Sequence, residues 1–89
     1  MTWTILTNHG QVLLCIARDP GVRMRDIAEA VGITERATQR IVSDLIEGGY
    51  VEAKRVGRRN EYRVNGHAPM RHPLAGQRDV GRILAALAD

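Results

Sequence analysis

The stretch Asp26–Tyr62, DIAEAVGITERATQRIVSDLIEGGYVEAKRVGRRNEY, decides the fold of this chain. Its first part has the apolar spacing of two short helices, which meet at a tight turn over residues 31–34 and end at the paired glycines 48–49. Beyond the glycines the apolar residues alternate, which predicts two antiparallel strands around a loop at residues 57–60. The order of elements is therefore helix, turn, helix and hairpin.

A further helix is predicted before this stretch, from about Asn8 to Arg18. Asn8 is the expected N-cap, and Gln11, three residues later, would complete a capping box. Residues 19–21, Asp-Pro-Gly, end the helix because proline cannot continue it and glycine accepts the chain reversal.

The two helices of the deciding stretch are predicted over about Met24–Val31 and Glu35–Glu47. Gly32 suits the left-handed residue that ends the first of them. Thr34 is the expected N-cap of the second, and Glu35 complements its positive end. Because the connection is so short, the two helices must cross steeply.

The helix over residues 35–47 has two distinct faces at 100° per residue. Its apolar face is expected to be buried and consists of Thr38, Ile41, Val42 and Leu45. Its opposite face carries hydrogen-bond donors that can reach base edges or phosphates, namely Arg36, Gln39, Arg40 and Ser43. An ordinary polar surface has the same pattern, so the basic hairpin that follows is what favours contact with DNA.

That hairpin is the most basic part of the chain, although the net charge of the whole is only +3. Residues 54–63 contain one lysine and four arginines against a single acid, Glu61. Arginine favours forked contacts with phosphate or guanine edges. Arg58 and Arg59 are expected at the loop tip, where a narrow minor groove would attract them. A solvated hairpin is the alternative.

The C-terminal part is predicted to be irregular over residues 65–73 and helical over about 74–88. Its apolar stripe either docks on its own domain or pairs with a second copy. We expect a homodimer, held by Trp3, Leu6, Val80, Ile83, Leu84 and Leu87. Any effector pocket would lie at the dimer interface among Trp3, Leu6, Ile83 and Leu87, although the sequence does not say whether an effector exists.

Length and composition narrow the possible functions. Eighty-nine residues allow one small domain, divided into a DNA-binding part over 1–66 and a dimerisation part over 67–89. No stretch is long and apolar enough to span a membrane, and the N-terminus lacks the features of a signal peptide, so we expect a cytoplasmic protein. Cys15 is the only cysteine, so no intrachain disulfide can form.

Catalytic and metal sites are not indicated. We find no Ser/His/Asp set, phosphate-binding glycine loop or paired inward carboxylate, and we predict no enzyme and no cofactor. His67 and His72 lie five residues apart, but a metal site would need a third ligand in fixed geometry. Cys15 is most simply a core residue.

The run from Arg25 to Val64 resembles the winged helix-turn-helix domains of bacterial MarR- and ArsR-type transcription regulators. The matching features are Ile27-Ala28, Gly32-Ile33-Thr34, Leu45 before Gly49, the wing Gly57-Arg58-Arg59-Asn60, and Tyr62 in the return strand. The chain departs from both types. It is too short for the longer terminal helices of MarR proteins, and it lacks the ligand clusters of the metal-sensing ArsR proteins.

The resemblance implies an α+β, mainly α fold with a two-stranded wing and a C-terminal helix, in a homodimeric regulator. It places the third helix in the major groove, with contacts from Thr34, Arg36, Gln39, Arg40 and Ser43. It places the wing on the flanking minor groove, with contacts from Lys54, Arg55, Arg58, Arg59 and Asn60. Two alternatives remain, a protein-binding adaptor that never touches DNA and a dimerisation module of an enzyme.

Overall fold

The computed structural model describes residues 3–88. Its elements in chain order are α1 (Asn8–Arg18), α2 (Met24–Val31), α3 (Glu35–Glu47), β1 (Val51–Val56), β2 (Arg59–Val64) and α4 (Gly81–Ala86). The predicted bounds of α1, α2 and α3 are confirmed. So is the fold class, a mainly helical domain with one two-stranded antiparallel sheet.

The core lies where the three long helices meet the base of the hairpin. The most deeply buried side chains are Val12 and Ile16 of α1, Ile27 of α2, Thr38 of α3 and Val51 of β1. Burying each of the aliphatic ones stabilises the fold by roughly 1.5–3 kcal/mol. The face of α3 that the sequence predicts to be buried is buried in full. This packing fixes which side of α3 remains in solvent.

The N-terminus of α1 differs from the prediction. Thr7, not Asn8, is the N-cap: its backbone is extended, and its side-chain oxygen accepts a hydrogen bond from the Gly10 amide at 3.2 Å. Asn8 is already the first helical residue. The Gln11 side chain donates to Thr4 Oγ1 and the Leu6 carbonyl, at 3.0 and 3.1 Å. The prediction of a capping box formed by Asn8 and Gln11 is therefore wrong.

The turn between α2 and α3 follows from two residues. Gly32 has φ +84°, a left-handed conformation that an L side chain rarely adopts, and its amide closes α2 on the Ala28 carbonyl at 2.8 Å. Thr34 then caps α3, its side chain accepting from the Ala37 amide at 3.0 Å. The turn therefore sets the angle at which α3 leaves α2.

The hairpin has a shorter loop than predicted. β1 and β2 pair from Val51 opposite Val64 to Val56 opposite Arg59, so the loop is only Gly57-Arg58. Arg59 and Asn60, expected at the tip, belong to β2. The hairpin docks on the helices through Tyr62, whose side chain is buried and whose amide donates to the Pro20 carbonyl at 3.0 Å.

The C-terminal helix is much shorter than the predicted 74–88, because long-range backbone pairing takes up its first half. The amide of Met70 donates to the Arg78 carbonyl at 3.0 Å, and those of Val80 and Gly81 donate to Ala68 and Gly66, both at 2.8 Å. This pairing holds residues 78–81 against 66–70. Only residues 81–86 remain to form α4.

Candidate nucleic-acid interface

The solvent face of α3 carries the predicted base-reading side chains. Arg36, Gln39, Arg40 and Ser43 are all exposed. Within residues 3–88 none of these four side chains makes a hydrogen bond or ion pair with the rest of the chain. Their donors are therefore free to meet an external partner, while the opposite face of the same helix is held in the core.

Thr34 stands at the start of this face. Its hydroxyl caps α3, and its backbone carbonyl accepts from Thr38 Oγ1 at 3.0 Å. The positive end of the helix dipole lies at the same place, which favours an anion near the exposed Thr34. A phosphate group of a nucleic acid is one anion that could bind at this position.

The five wing candidates are exposed, but the structure gives them different surroundings. Arg55 Nε donates to the Gly57 carbonyl at 3.1 Å, a bond within the hairpin. Arg59 Nη2 donates to the Gly21 carbonyl of the α1–α2 loop at 2.6 Å. Lys54 lies opposite Glu61 in the strand register, and Asn60 lies opposite Arg55. Arg58 stands in the two-residue loop, with no side-chain hydrogen bond to the described chain.

The bond from Arg59 was not expected, because this residue was predicted at the loop tip, where a minor groove would attract it. Arg59 instead has a partner in its own domain. The sequence does not indicate this contact, because its acceptor is a backbone carbonyl 38 residues away, and no local pattern marks a carbonyl as an acceptor.

The interface is cationic because its charges are not neutralised. In the described part of the chain, the carboxylates that contact a basic side chain are Asp44, whose oxygen lies 2.8 Å from His9 Nε2, and Asp79, whose oxygen lies 3.2 Å from His67 Nδ1. Neither involves an arginine of α3 or of the hairpin. The local excess of positive charge at the hairpin therefore remains available to an anionic partner.

The predicted dimerisation residues fall into two groups. Trp3, Leu6, Ile83 and Leu87 are at least partly accessible, with Trp3 65% and Ile83 37% exposed. Val80 and Leu84 instead belong to the core of their own domain. Two further apolar side chains of these segments, Ile5 and Leu74, are 86% and 91% exposed.

An apolar groove of about 1030 Å³ lies between the start of α1, the end of α3 and the C-terminal segment. Leu6, Leu13 and Ile83 line it, and the His9–Asp44 pair and Arg71 are among its polar groups. Arg71 also lies over the Tyr50 ring, 5.9 Å from its centroid. Of the four residues predicted to surround any effector pocket, Leu6 and Ile83 line this groove.

Other chemistry has little support in the described residues. Across residues 3–88 no three His, Cys, Asp or Glu side chains are grouped so that they could hold a metal ion. Burial raises the pKa of the Cys15 thiol above its ordinary 9.0, against a smaller lowering by Arg18. The thiol is thus protonated and poorly nucleophilic at neutral pH. No helix within the described range is long and apolar enough to cross a bilayer.

The geometry of α2, α3 and the hairpin agrees with a family match. Residues 5–52 match the winged helix-turn-helix DNA-binding family. Because this match covers more than half of the chain, the chain belongs to that family.

Solved structures extend the likeness to MarR-type regulators, as the sequence resemblance indicated. The fold is similar to that of the PcaV transcriptional regulator from Streptomyces coelicolor, solved in complex with its natural ligand. The identity is 25% and the TM-score 0.59, over 92% of this chain and 57% of that one. It is also similar to the zinc-dependent MarR family transcriptional regulator AdcR in its Zn(II)-bound state. There the identity is 15% and the TM-score 0.56, over 99% of this chain and 58% of that one, which shows the fold alone.

The chain thus spans less than three fifths of the length of either regulator. No curated protein matches it significantly.

Proposed function

We propose that this chain is a sequence-specific DNA-binding transcription regulator that acts as a homodimer on an inverted repeat. The observation that carries the proposal is the division of α3 into a buried face and a face of unpaired donors, next to a basic hairpin docked on the same domain. Membership of the winged helix-turn-helix family supports the same conclusion. A DNA partner in turn favours the cytoplasm as its location.

In this proposal α3 enters the major groove. Arg36 and Arg40 suit the acceptors of guanine, and Gln39 suits the donor and acceptor of adenine. Thr34 and Ser43 would bind phosphates at the edge of the groove and so fix the register of the helix on the duplex.

The wing would follow the backbone beside that groove. Arg58, at the loop, is placed to enter the minor groove, where a narrow groove has enhanced negative potential. Lys54, Arg55 and Asn60 lie on the two strands behind it and would contact phosphates. These contacts would add affinity for any sequence, because phosphates carry no base information.

A second copy would supply the other half-site. The proposed contact surface consists of apolar residues of the two ends that are at least partly accessible, Trp3, Leu6, Ile83 and Leu87, with residues 67–89 as the dimerisation part. A two-fold dimer on DNA predicts half-sites about one helical turn, ~10 bp, apart or a multiple of it.

Selection of bound DNA from a random library tests the proposal most directly, since it gives the motif, its symmetry and the half-site spacing together. Arg40→Ala is expected to cost roughly 1–3 kcal/mol of binding and to relax the preference at one base pair. Arg82→Ala, which removes an exposed arginine of α4, is the matched control and should leave the motif unchanged. An unaltered motif in Arg40→Ala would refute the assignment of α3.

A gel shift with genomic DNA fragments at physiological salt decides between this function and a protein-binding adaptor. The exposed carboxylates of Glu35, Glu47 and Glu52 lower the positive charge of this surface, which favours the adaptor hypothesis. An adaptor would show no complex that survives competitor DNA and weakens steeply with salt. Such a complex is the expected result for the regulator.

A further inference from the structure

Two hydrogen bonds join the wing to the helices at the α1–α2 loop. The Tyr62 amide donates to the Pro20 carbonyl at 3.0 Å, and Arg59 Nη2 donates to the next carbonyl, that of Gly21, at 2.6 Å. The two donors lie three residues apart on β2 and the two acceptors are neighbours. Together they attach β2 to the loop at two points, so the hairpin cannot pivot about either bond alone.

The accepting loop is itself ordered by local bonds. The Gly21 amide donates to Asp19 Oδ1 at 3.1 Å, and the Val22 amide donates to the Asp19 carbonyl at 3.0 Å. A methyl group at position 21 would lie at an ordinary contact distance of 3.5 Å from Arg59 Nη2, so the guanidinium lies close to the loop backbone. The bond therefore has an acceptor that is held in place by the local bonds of its own loop.

The other cations of the hairpin are not engaged in this way. Arg55 bonds only within the hairpin, to the Gly57 carbonyl. Arg58 has no side-chain hydrogen bond to residues 3–88. An isolated two-stranded hairpin is marginally stable in water, so its orientation depends on its contacts with the domain, and the charge-assisted bond from Arg59 is one of these.

We propose that Arg59 is a positioning residue of the wing: its bond to the Gly21 carbonyl holds the hairpin so that Arg58 reaches the DNA. The consequence for DNA rests on the proposed function, whereas the tether itself does not. Arg59 thus acts through Arg58, and adjacent arginines of equal charge have different roles.

Amide hydrogen exchange of the free protein tests the tether without DNA. In Arg59→Ala, exchange of the Tyr62 amide is expected to rise roughly 2- to 10-fold, the equivalent of one lost hydrogen bond. Arg58→Ala removes the same charge and is the matched control, with Tyr62 exchange unchanged. Amides in the middle of α1 report that both variants remain folded. Equal Tyr62 exchange in the two variants would overturn the proposal.

DNA binding by the two single variants and the double variant tests the positioning role. If Arg59 acts through Arg58, the loss from Arg58→Ala is much smaller in the Arg59→Ala background than in the wild type. Two independent phosphate contacts would instead give losses that multiply, and this outcome would overturn the positioning role. If the wild-type protein binds no DNA at all, the proposed function fails, and the tether is judged on amide exchange alone.

Discussion

Single residues in this domain often serve two elements at once. Thr34 caps α3 through its hydroxyl and also stands at the edge of the exposed face. The backbone amide of Tyr50 donates a hydrogen bond to the Leu45 carbonyl at the end of α3. The Tyr50 hydroxyl donates to the Pro69 carbonyl of the C-terminal segment. In the proposed function, substitution of Thr34 therefore changes both the free energy of unfolding and DNA binding, and a matched control is needed to separate the two effects.

Thr34→Ala is expected to lower the free energy of unfolding by about 0.5–2 kcal/mol, because the Ala37 amide loses its cap. Thr7→Ala removes the equivalent cap of α1 and should cost a similar amount. Urea titration measures both losses. Only Thr34→Ala should also weaken DNA binding in a fluorescence titration. Equal DNA affinity of the two variants would remove Thr34 from the interface.

At the scale of elements, the local pattern of the sequence was sufficient for the helices and insufficient for the C-terminal segment. The bounds of α1, α2 and α3 follow from apolar spacing and from breakers such as Gly32. The cap of α1 was misassigned by one residue, because Thr7 and Asn8 are both good capping residues. The extra length predicted for α4 reflected alanine and leucine propensity, which carries no information on the pairing of residues 78–81 with 66–70.

The candidate interface also has a part that the local sequence pattern predicts and a part that it does not. The exposed side of α3 could be predicted because one helix determines which of its own residues face outward. The role of Arg59 could not, because it depends on how the hairpin meets a loop distant in sequence. The burial of Val80 and Leu84 in their own core likewise results from tertiary packing.

The junction of the C-terminal segment gives a prediction at this scale. A Cβ at Gly81 would lie 2.8 Å from the Gly66 carbonyl oxygen and 3.2 Å from its Cα, and backbone atoms cannot rotate away. Gly81→Ala is therefore expected to destabilise the fold by about 1–3 kcal/mol. Gly66→Ala is the control, since its Cβ would meet Gly81 Cα at an ordinary 3.6 Å. Urea unfolding should show the larger loss for Gly81→Ala, and the reverse order would contradict the close approach.

At the scale of the whole molecule, most of the exposed large apolar side chains belong to the N-terminal and C-terminal segments of the chain, whereas Ile46 lies on α3 and Val56 on β1. Ile5, Leu74, Ile83 and Leu87 are all accessible. Apolar surface left accessible in a small domain is typical of a contact with another protein. It is the basis for proposing that the second copy is held there.

Ile83→Asp is expected to shift the protein toward the monomer in sedimentation equilibrium, because a carboxylate would enter the proposed apolar contact. Leu84→Ala is the contrasting variant. Leu84 is only 8% exposed, against 37% for Ile83, so its truncation should lower the free energy of unfolding by about 2–5 kcal/mol. A wild-type protein that is monomeric at all concentrations would contradict the proposed dimer.

The separation of the two sides of α3 has a consequence for how this domain evolves. Arg36, Gln39, Arg40 and Ser43 make no side-chain hydrogen bonds within residues 3–88, whereas Thr38, Ile41, Val42 and Leu45 are enclosed by the core. Mutational drift at the first four positions carries little stability penalty. In the proposed function, a lineage of such domains can therefore acquire new DNA sites one codon at a time, without compensating changes elsewhere in the gene.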